Sequence, residues 1–229
     1  MPTHPYVSRY FVRSDARRDK LVYELPDSWW SRPYEYEWCT HFTSPHDTVL
    51  DAACGIAQPL KFHLAAVSDE TFACDIDARI VTTDYILRDV YEQVGPEAAG
   101  QISEEVLAKL QLSQADLIRL PYVDESFDTI FCIAVLEHLP IQDLAPAVKE
   151  FYRTLNSEGL LVLTFASPPV ALPLVNEVLL AAGFRYWGET DFSLPADALC
   201  PPDGERVYCF RAVLRKVPVS HNRETMQGL

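Results

Sequence analysis

The sequence predicts an α/β fold: a doubly wound, mostly parallel sheet with an antiparallel late strand and an N-terminal helical, aromatic cap. Three observations carry this. From Thr48 onward, short apolar runs alternate with helical stretches of about ten to fifteen residues, the texture of βαβ units. A small-residue turn, "DAACGIA", begins at Asp51, where the first apolar run ends. The next apolar run ends in acid, "ACDID". At 229 residues the chain has room for one such domain with additions.

Residues 1–46 are aromatic, basic and proline-broken, which predicts a cap or lid built from short helices. Residues 47–216 then form the main domain, and residues 217–229 a polar, flexible tail. Within the main domain the first strand (48–50) runs into a helix, "PLKFHLAAV" (59–67). A second strand, "TFACDID" (71–77), precedes helical sequence over 78–94. "GPEAAG" breaks that helix and "SEEVLAKLQL" (103–112) restarts one, with Ser103 as N-cap and glutamates suited to the positive end of the helix dipole. The span 78–114 is longer than a crossover needs, so it is expected to hold an extra helix.

Next come a strand "ADLIRL" (115–120), a turn "PYVDES", a strand "FDTIFCIAV" (127–135) and a helix "LAPAVKEFYRTL" (144–155). "NSEG" reads as the stop of that helix, with Gly159 near the left-handed C-cap position. A strong strand (160–166) and a helix stopped by Gly183 follow. Two late strands, 184–192 and 206–216, close the domain.

Composition excludes several partner classes. Acidic residues outnumber basic ones 33 to 19, for a net charge of -14. Phosphate backbones and anionic membrane surfaces are held by lysine and arginine, so neither a nucleic acid nor a membrane is expected as partner. The six cysteines show no C-x-x-C spacing and read as reduced thiols, with no metal site. The N-terminus lacks a signal-like apolar core, and no run is long enough to span a bilayer, so a cytoplasmic protein is expected.

The turn after the first strand carries the chemistry. A helix start after a strand offers unpaired N–H groups and a partial positive charge, and small residues let a ligand approach that backbone. Gly55 occupies the middle of the turn. Asp75 follows Asp51 by 24 residues, where a carboxylate can accept from ribose hydroxyls. Asp77 is the alternative, read here as a helix cap.

The blocks "VLDAACGIA", "CDID", "DLIRLPY" and "FDTIFCIAVLEHL", in that order, resemble the class I S-adenosylmethionine-dependent methyltransferases, particularly their small type 11 group. The resemblance covers about residues 48–216, and the first block departs from the glycine pattern at Ala53 and Ala57. It implies a Rossmann-like fold with S-adenosyl-L-methionine as cofactor. It also implies that Asp51, Ala53 and Gly55 lie beside the methionine part, with Asp75 on the ribose and Ile76 against adenine. Asp116 would accept from the adenine amino group, Leu117 would flank the ring, and Ile133 and Ala134 would offer carbonyls to the ammonium. His138 falls where methyl acceptors sit, as a general base or as a packing residue; Asp128 and Glu137 read as structural.

In the cap, Arg32 is a candidate for the cofactor carboxylate, and Tyr34, Tyr36 and Trp38 for an apolar acceptor pocket. A cap that only packs on the sheet is the equal alternative for Arg32, and Trp29 and Trp30 are expected to pack. The function implied is methyl transfer to a small-molecule oxygen, nitrogen or carbon. The alternative is a non-catalytic or regulatory protein of the same fold that binds S-adenosylmethionine or S-adenosylhomocysteine. A dehydrogenase is disfavoured because G-x-G-x-x-G is absent. A homodimer stays open.

Overall fold

The computed structural model describes residues 4–168 and 170–217; the expected tail lies outside them except for Val217. Eight strands form one sheet in the order β1-β8-β6-β5-β2-β3-β4, with β7 also on β8. The parallel part comprises β2 (Thr48–Ala52), β3 (Glu70–Asp75), β4 (Leu110–Gln114), β5 (Phe127–Ile133) and β6 (Leu155–Ser167). β8 (Tyr208–Lys216) runs antiparallel to β6. β1 (Arg9–Tyr10) and β7 (Phe184–Tyr186) share its other edge, end to end. From β2 the chain winds outward through β3 and β4, then returns to β5 on the opposite side, placing the topological switch point between β2 and β5.

Period-two alternation assigns the two faces. Leu50, Ile130, Leu161 and Phe210 join one core beneath α6 (Ile141–Thr154) and α7 (Leu172–Ala181). Their neighbours Val49, Phe131, Val162 and Cys209 face α1 (Arg32–Cys39) and the arm before it. The N-terminal segment therefore supplies part of a layer, with Tyr34, Tyr36, Trp38 and Phe42 buried against the sheet. α2 (Leu60–Val67) and α3 (Thr83–Gln93) close a third cluster around Phe62, Ile86 and Val90.

Several boundaries differ from expectation. The arm contributes a strand, β1, as well as helix. Residues 78–94 divide at Thr82 into a single turn (Ala78–Val81) and α3. The expected extra helix is two short ones, α4 (Pro96–Gly100) and α5 (Glu104–Lys109), and Ser103 caps α5 by accepting from Val106 N at 3.2 Å.

The third parallel strand is "LQLSQ" rather than "ADLIRL", because pairing Thr71 with Leu110 carries the ladder only as far as Asp75 beside Gln114. Residues 115–120 instead turn, and Ala115, Leu117 and Leu120 plug the core from that turn. Gly159 is not the left-handed residue of its turn. α6 ends at Thr154, β6 begins at once, and Glu158 takes the positive φ of 65° within an irregularity of the ladder. Gly183 does stop α7 with φ 105°. The expected strand 184–192 is a strand only over Phe184–Tyr186, with an isolated bridge from Thr190 to Ser8 beyond it.

Candidate functional site

The loop after β2 leaves the sheet through two left-handed residues, Ala53 (φ 52°) and Gly55 (φ 62°). At Gly55 a Cβ would meet Gln58 Cγ at 2.6 Å, so any other residue would have to displace Gln58 as well as hold a left-handed backbone. Ala53 tolerates its conformation at a cost of roughly 1–2 kcal/mol. The departure from glycine at Ala53 is therefore more than one added methyl. Ala57, by contrast, is simply packed in the core, and its carbonyl accepts from the Tyr23 hydroxyl.

The loop is tied down from two sides. Gly55 N donates to Asp75 Oδ2 at 2.9 Å, and Asp77 N donates to Asp75 Oδ1 at 3.0 Å. Two backbone donors thus fix the Asp75 carboxylate at the tip of β3, with lone pairs left over. Below the loop, the fully buried Lys61 ammonium donates to Gly55 O (2.8 Å) and Gln58 O (2.7 Å). Burial pushes the Lys61 pKa down. One tip further along, Ala115 N donates to Asp75 O at 2.9 Å, which sets Asp116 on the neighbouring strand end. Asp116 is exposed and accepts from Ile118 N at 3.2 Å.

A cavity of about 250 Å³ opens at the switch point between β2 and β5. Its walls are Asp51 and Ala53–Gly55 from the first tip, Ile133 and Ala134 from the second, and Arg32, Tyr36 and Gln58 above. Asp51 is 2% exposed, and its Oδ2 has no hydrogen-bond partner among the described residues. Burial pushes the Asp51 pKa up to about 7; Lys61 and Arg32 oppose the rise and Asp75 adds to it. An orphaned anionic oxygen and a guanidinium on one small cavity suit a zwitterionic amino-acid group. The structure thus fits the methionine part of S-adenosylmethionine on its own chemistry.

A second cavity, of about 370 Å³, shares Arg32, Gln58, Ala134 and His138 with the first. Trp29, Trp30, Glu35, Glu137 and Cys209 are among its walls. A hydrogen-bond chain runs along its edge. Arg32 Nη1 donates to Glu35 Oε2 at 2.5 Å, and Glu35 Oε1 accepts from Thr164 Oγ1 (2.6 Å) and Cys209 Sγ (3.1 Å). Thr164 Oγ1 accepts in turn from Ala134 N at 3.0 Å, holding the left-handed Ala134 (φ 52°) at the β5 tip. Burial alone would raise the Glu35 pKa, but Arg32 and these hydrogen bonds hold it below the usual carboxylate range. Glu137 is different: burial and nearby Glu35 lift it to about 7, and its Oε2 has no partner among the described residues. His138 is exposed, ends the turn Leu136–His138 and faces both cavities.

The expected residues therefore divide. Asp51, Ala53, Gly55, Ile133, Ala134, Arg32, Tyr36 and His138 meet at the first cavity, and Asp75 and Asp116 stand at the two adjoining tips. Ile76 is 68% exposed beside Asp75, an apolar surface left open. Three of the expected side chains do not line either of these two cavities. Tyr34 lies under the Arg17 guanidinium (5.5 Å to the ring) and Trp38 donates to Pro5 O at 2.7 Å. Helical spacing turns both away from the face that presents Arg32 and Tyr36. Leu117 is in the core, so Ile118, 38% exposed, is the apolar side chain offered beside Asp116. Trp29 and Trp30, expected only to pack, line the second cavity. Sequence reasoning missed Gln58 and Lys61, and read Glu137 as structural. The signal for Lys61 was a lone lysine in the apolar "LKFHLAAV" helix.

A doubly wound sheet with an amino-acid-sized cavity at its switch point, and carboxylates on the next two tips, defines a nucleoside-cofactor fold. Residues 50–163 match the family model described as a methyltransferase domain, and over that stretch the chain belongs to this family, of the class I type 11 kind its motifs resemble. An uncharacterized protein of Haemophilus influenzae is 37% identical over 114 residues, 50% of this chain and 40% of that protein. The chain thus matches less than half the length of that curated relative. Among solved structures, a TehB-like SAM-dependent methyltransferase of Corynebacterium glutamicum shares the fold (TM-score 0.56, 15% identity, 80% and 86% of the two chains). So does magnesium protoporphyrin IX methyltransferase of Synechocystis, solved with bound SAM (0.53, 18%, 79% and 76%). The [4+2]-cyclase SpnF shares it as well (0.58, 14%, 92% and 87%).

Proposed function

We propose that this protein is an S-adenosylmethionine-dependent methyltransferase acting in the cytoplasm on a small-molecule acceptor. The carrying observation is the first cavity, whose walls include both Arg32 and Asp51 with its unpartnered Oδ2. Bound S-adenosylmethionine supplies an electrophilic methyl group on a sulfonium. Arg32 would take its carboxylate, while Asp51 and the carbonyls of Ile133 and Ala134 would take its ammonium. Asp75 would accept from the ribose hydroxyls, Asp116 from the adenine amino group, and Ile76 would cover the ring.

The reacting atoms would meet at the wall common to both cavities, formed by Arg32, Gln58, Ala134 and His138. Alignment of nucleophile, carbon and leaving sulfur supplies much of such an acceleration. His138, on that wall, would receive a proton from the acceptor. The Trp29–Trp30 segment, which lines the second cavity, would cover the acceptor as a lid. Acidic net charge favours a small acceptor over nucleic acid.

A specific observation keeps a second reading in view. Ala53 strains the loop at the cofactor cavity, and a protein that binds the cofactor or its product without methylating could carry that strain. Calorimetry with S-adenosylmethionine and S-adenosylhomocysteine, then transfer of labelled methyl to a metabolite panel, separates the two. Absence of binding to either compound would sink both readings; tight binding with no methylated product would favour the second. In the same assay, His138→Ala should lower turnover while leaving cofactor affinity unchanged, and unchanged turnover would return His138 to a packing role.

A further inference from the structure

The second cavity contains an acid that the cofactor reading does not use. Glu137 lines it, and its Oε2 is buried with no partner among the described residues. The charges around it are otherwise committed. Arg32 is bonded to Glu35, and Glu35 is fully buried and satisfied by Thr164, Cys209 and Arg32. Cys132, Cys209 and His138 are the other titratable groups facing Glu137, and none brings a fixed positive charge. One carboxyl with an unpartnered oxygen, opposed in its desolvation only by the backbone N–H groups of Glu137 and Ala166 and by the Arg32 charge, thus stands in a cavity whose remaining walls include two tryptophans, Ala166 and Val207. A neutral acceptor would leave that oxygen desolvated and without a partner. A cation would satisfy it, and indole faces favour cations too.

We propose that this cavity takes a primary or secondary amine, with its ammonium against Glu137 and its apolar body against Trp29 and Trp30. The proposal rests on the methyltransferase reading and deepens it by choosing nitrogen as the methylated atom. Glu137, as carboxylate, accepts one proton from the bound ammonium. The freed lone pair forms the N–C bond to the sulfonium methyl as the C–S bond breaks, its electron pair staying on sulfur. The positive charge formerly on sulfur ends on the methylated nitrogen. The proton on Glu137 leaves to solvent past His138, which stands exposed at the mouth.

The test uses the full chain with saturating S-adenosylhomocysteine and follows tryptophan fluorescence and heat during titration with 2-phenylethylamine and with 2-phenylethanol. The wild type is expected to prefer the ammonium by about 10-fold or more, the scale of one hydrogen bond to a charged group. In Glu137→Gln that preference should collapse to about 2-fold or less, and in Glu137→Asp part of it should remain. The preference should grow as pH rises through about 7, where the carboxyl ionises. Equal affinity for amine and alcohol, or a preference unchanged in Glu137→Gln, would overturn the proposal. S-adenosylhomocysteine affinity, measured in parallel, reports folding of each variant, and its absence in the wild type would instead sink the underlying reading. If Glu137→Gln does not fold, the wild-type pair of ligands and its pH profile still decide.

Discussion

Asp51 and Ala53 sit two residues apart on the wall of the first cavity, and each costs the fold stability. Asp51 is buried with its pKa raised from 3.8 to about 7. A carboxyl raised in the folded state is at its most stabilising below its unfolded pKa, and that stability is lost as pH rises through the folded value. The penalty should therefore grow from about pH 4 to about pH 7 and be complete above. Asp51→Asn is expected to be more stable than wild type above pH 7 in urea unfolding, with the difference vanishing below pH 4. The same variant should bind S-adenosylhomocysteine at least about 10-fold more weakly, because the ligand ammonium loses its charged acceptor. Tighter binding by the variant would remove Asp51 from the site. At Ala53 the backbone alone is at issue. Ala53→Gly relieves a left-handed alanine but gives the unfolded chain more freedom, for a net gain of about 0.5–1 kcal/mol. In a domain this size that is a rise of about 1–4 °C in Tm.

At the scale of elements, α1 is bonded to the sheet by charge as well as by packing. Glu35 on α1 reaches Thr164 on β6 and Cys209 on β8, and through Thr164 it holds the Ala134 amide at the β5 tip. Glu35→Ala would strand the Arg32 guanidinium and release Thr164. Removing one partner of a buried pair costs about 3–5 kcal/mol. Denaturant unfolding should show a loss of that size, and cofactor affinity should fall with it because Arg32 and Ala134 lose their positions. A loss below about 1 kcal/mol would show the pair to be no stronger than a surface one. The sequence predicts short helices within residues 1–46, but neither the place of α1 nor the face it presents. Arg32 and Tyr36 are four residues apart and share one side, whereas Tyr34 and Trp38 share another. Periodicity gives both sets, and only the sheet beneath α1 says which set it covers and which meets the cavity.

For the whole molecule, the expected division into cap and catalytic domain has a measurable consequence. Phe11, Tyr34, Tyr36, Trp38 and Phe42 form one core with Val49, Phe131, Val162 and Val213. β1 also pairs with β8 through Tyr10 and Phe210. A chain lacking residues 1–46 should lose cooperative thermal unfolding, since one sheet face would be left bare. A sharp transition near the full-length Tm would instead make the segment a detachable lid.

The sequence alone determined the order of strands and helices, the nucleoside turn and the acids at two strand tips, because each is written in a contiguous run. Strand ends carry their own punctuation, and a motif spanning a few residues keeps its meaning wherever the chain goes. The tertiary structure decided what depends on neighbours distant in the chain. It chose "LQLSQ" over "ADLIRL" as the third parallel strand, put Leu117 in the core, and set Trp29 and Trp30 on the wall of the second cavity. It also exposed the two unmatched acids, Asp51 and Glu137. Whether a carboxylate is paired depends on Lys61, Arg32, Glu35 and Thr164 arriving from other elements, and no local pattern records that arrival.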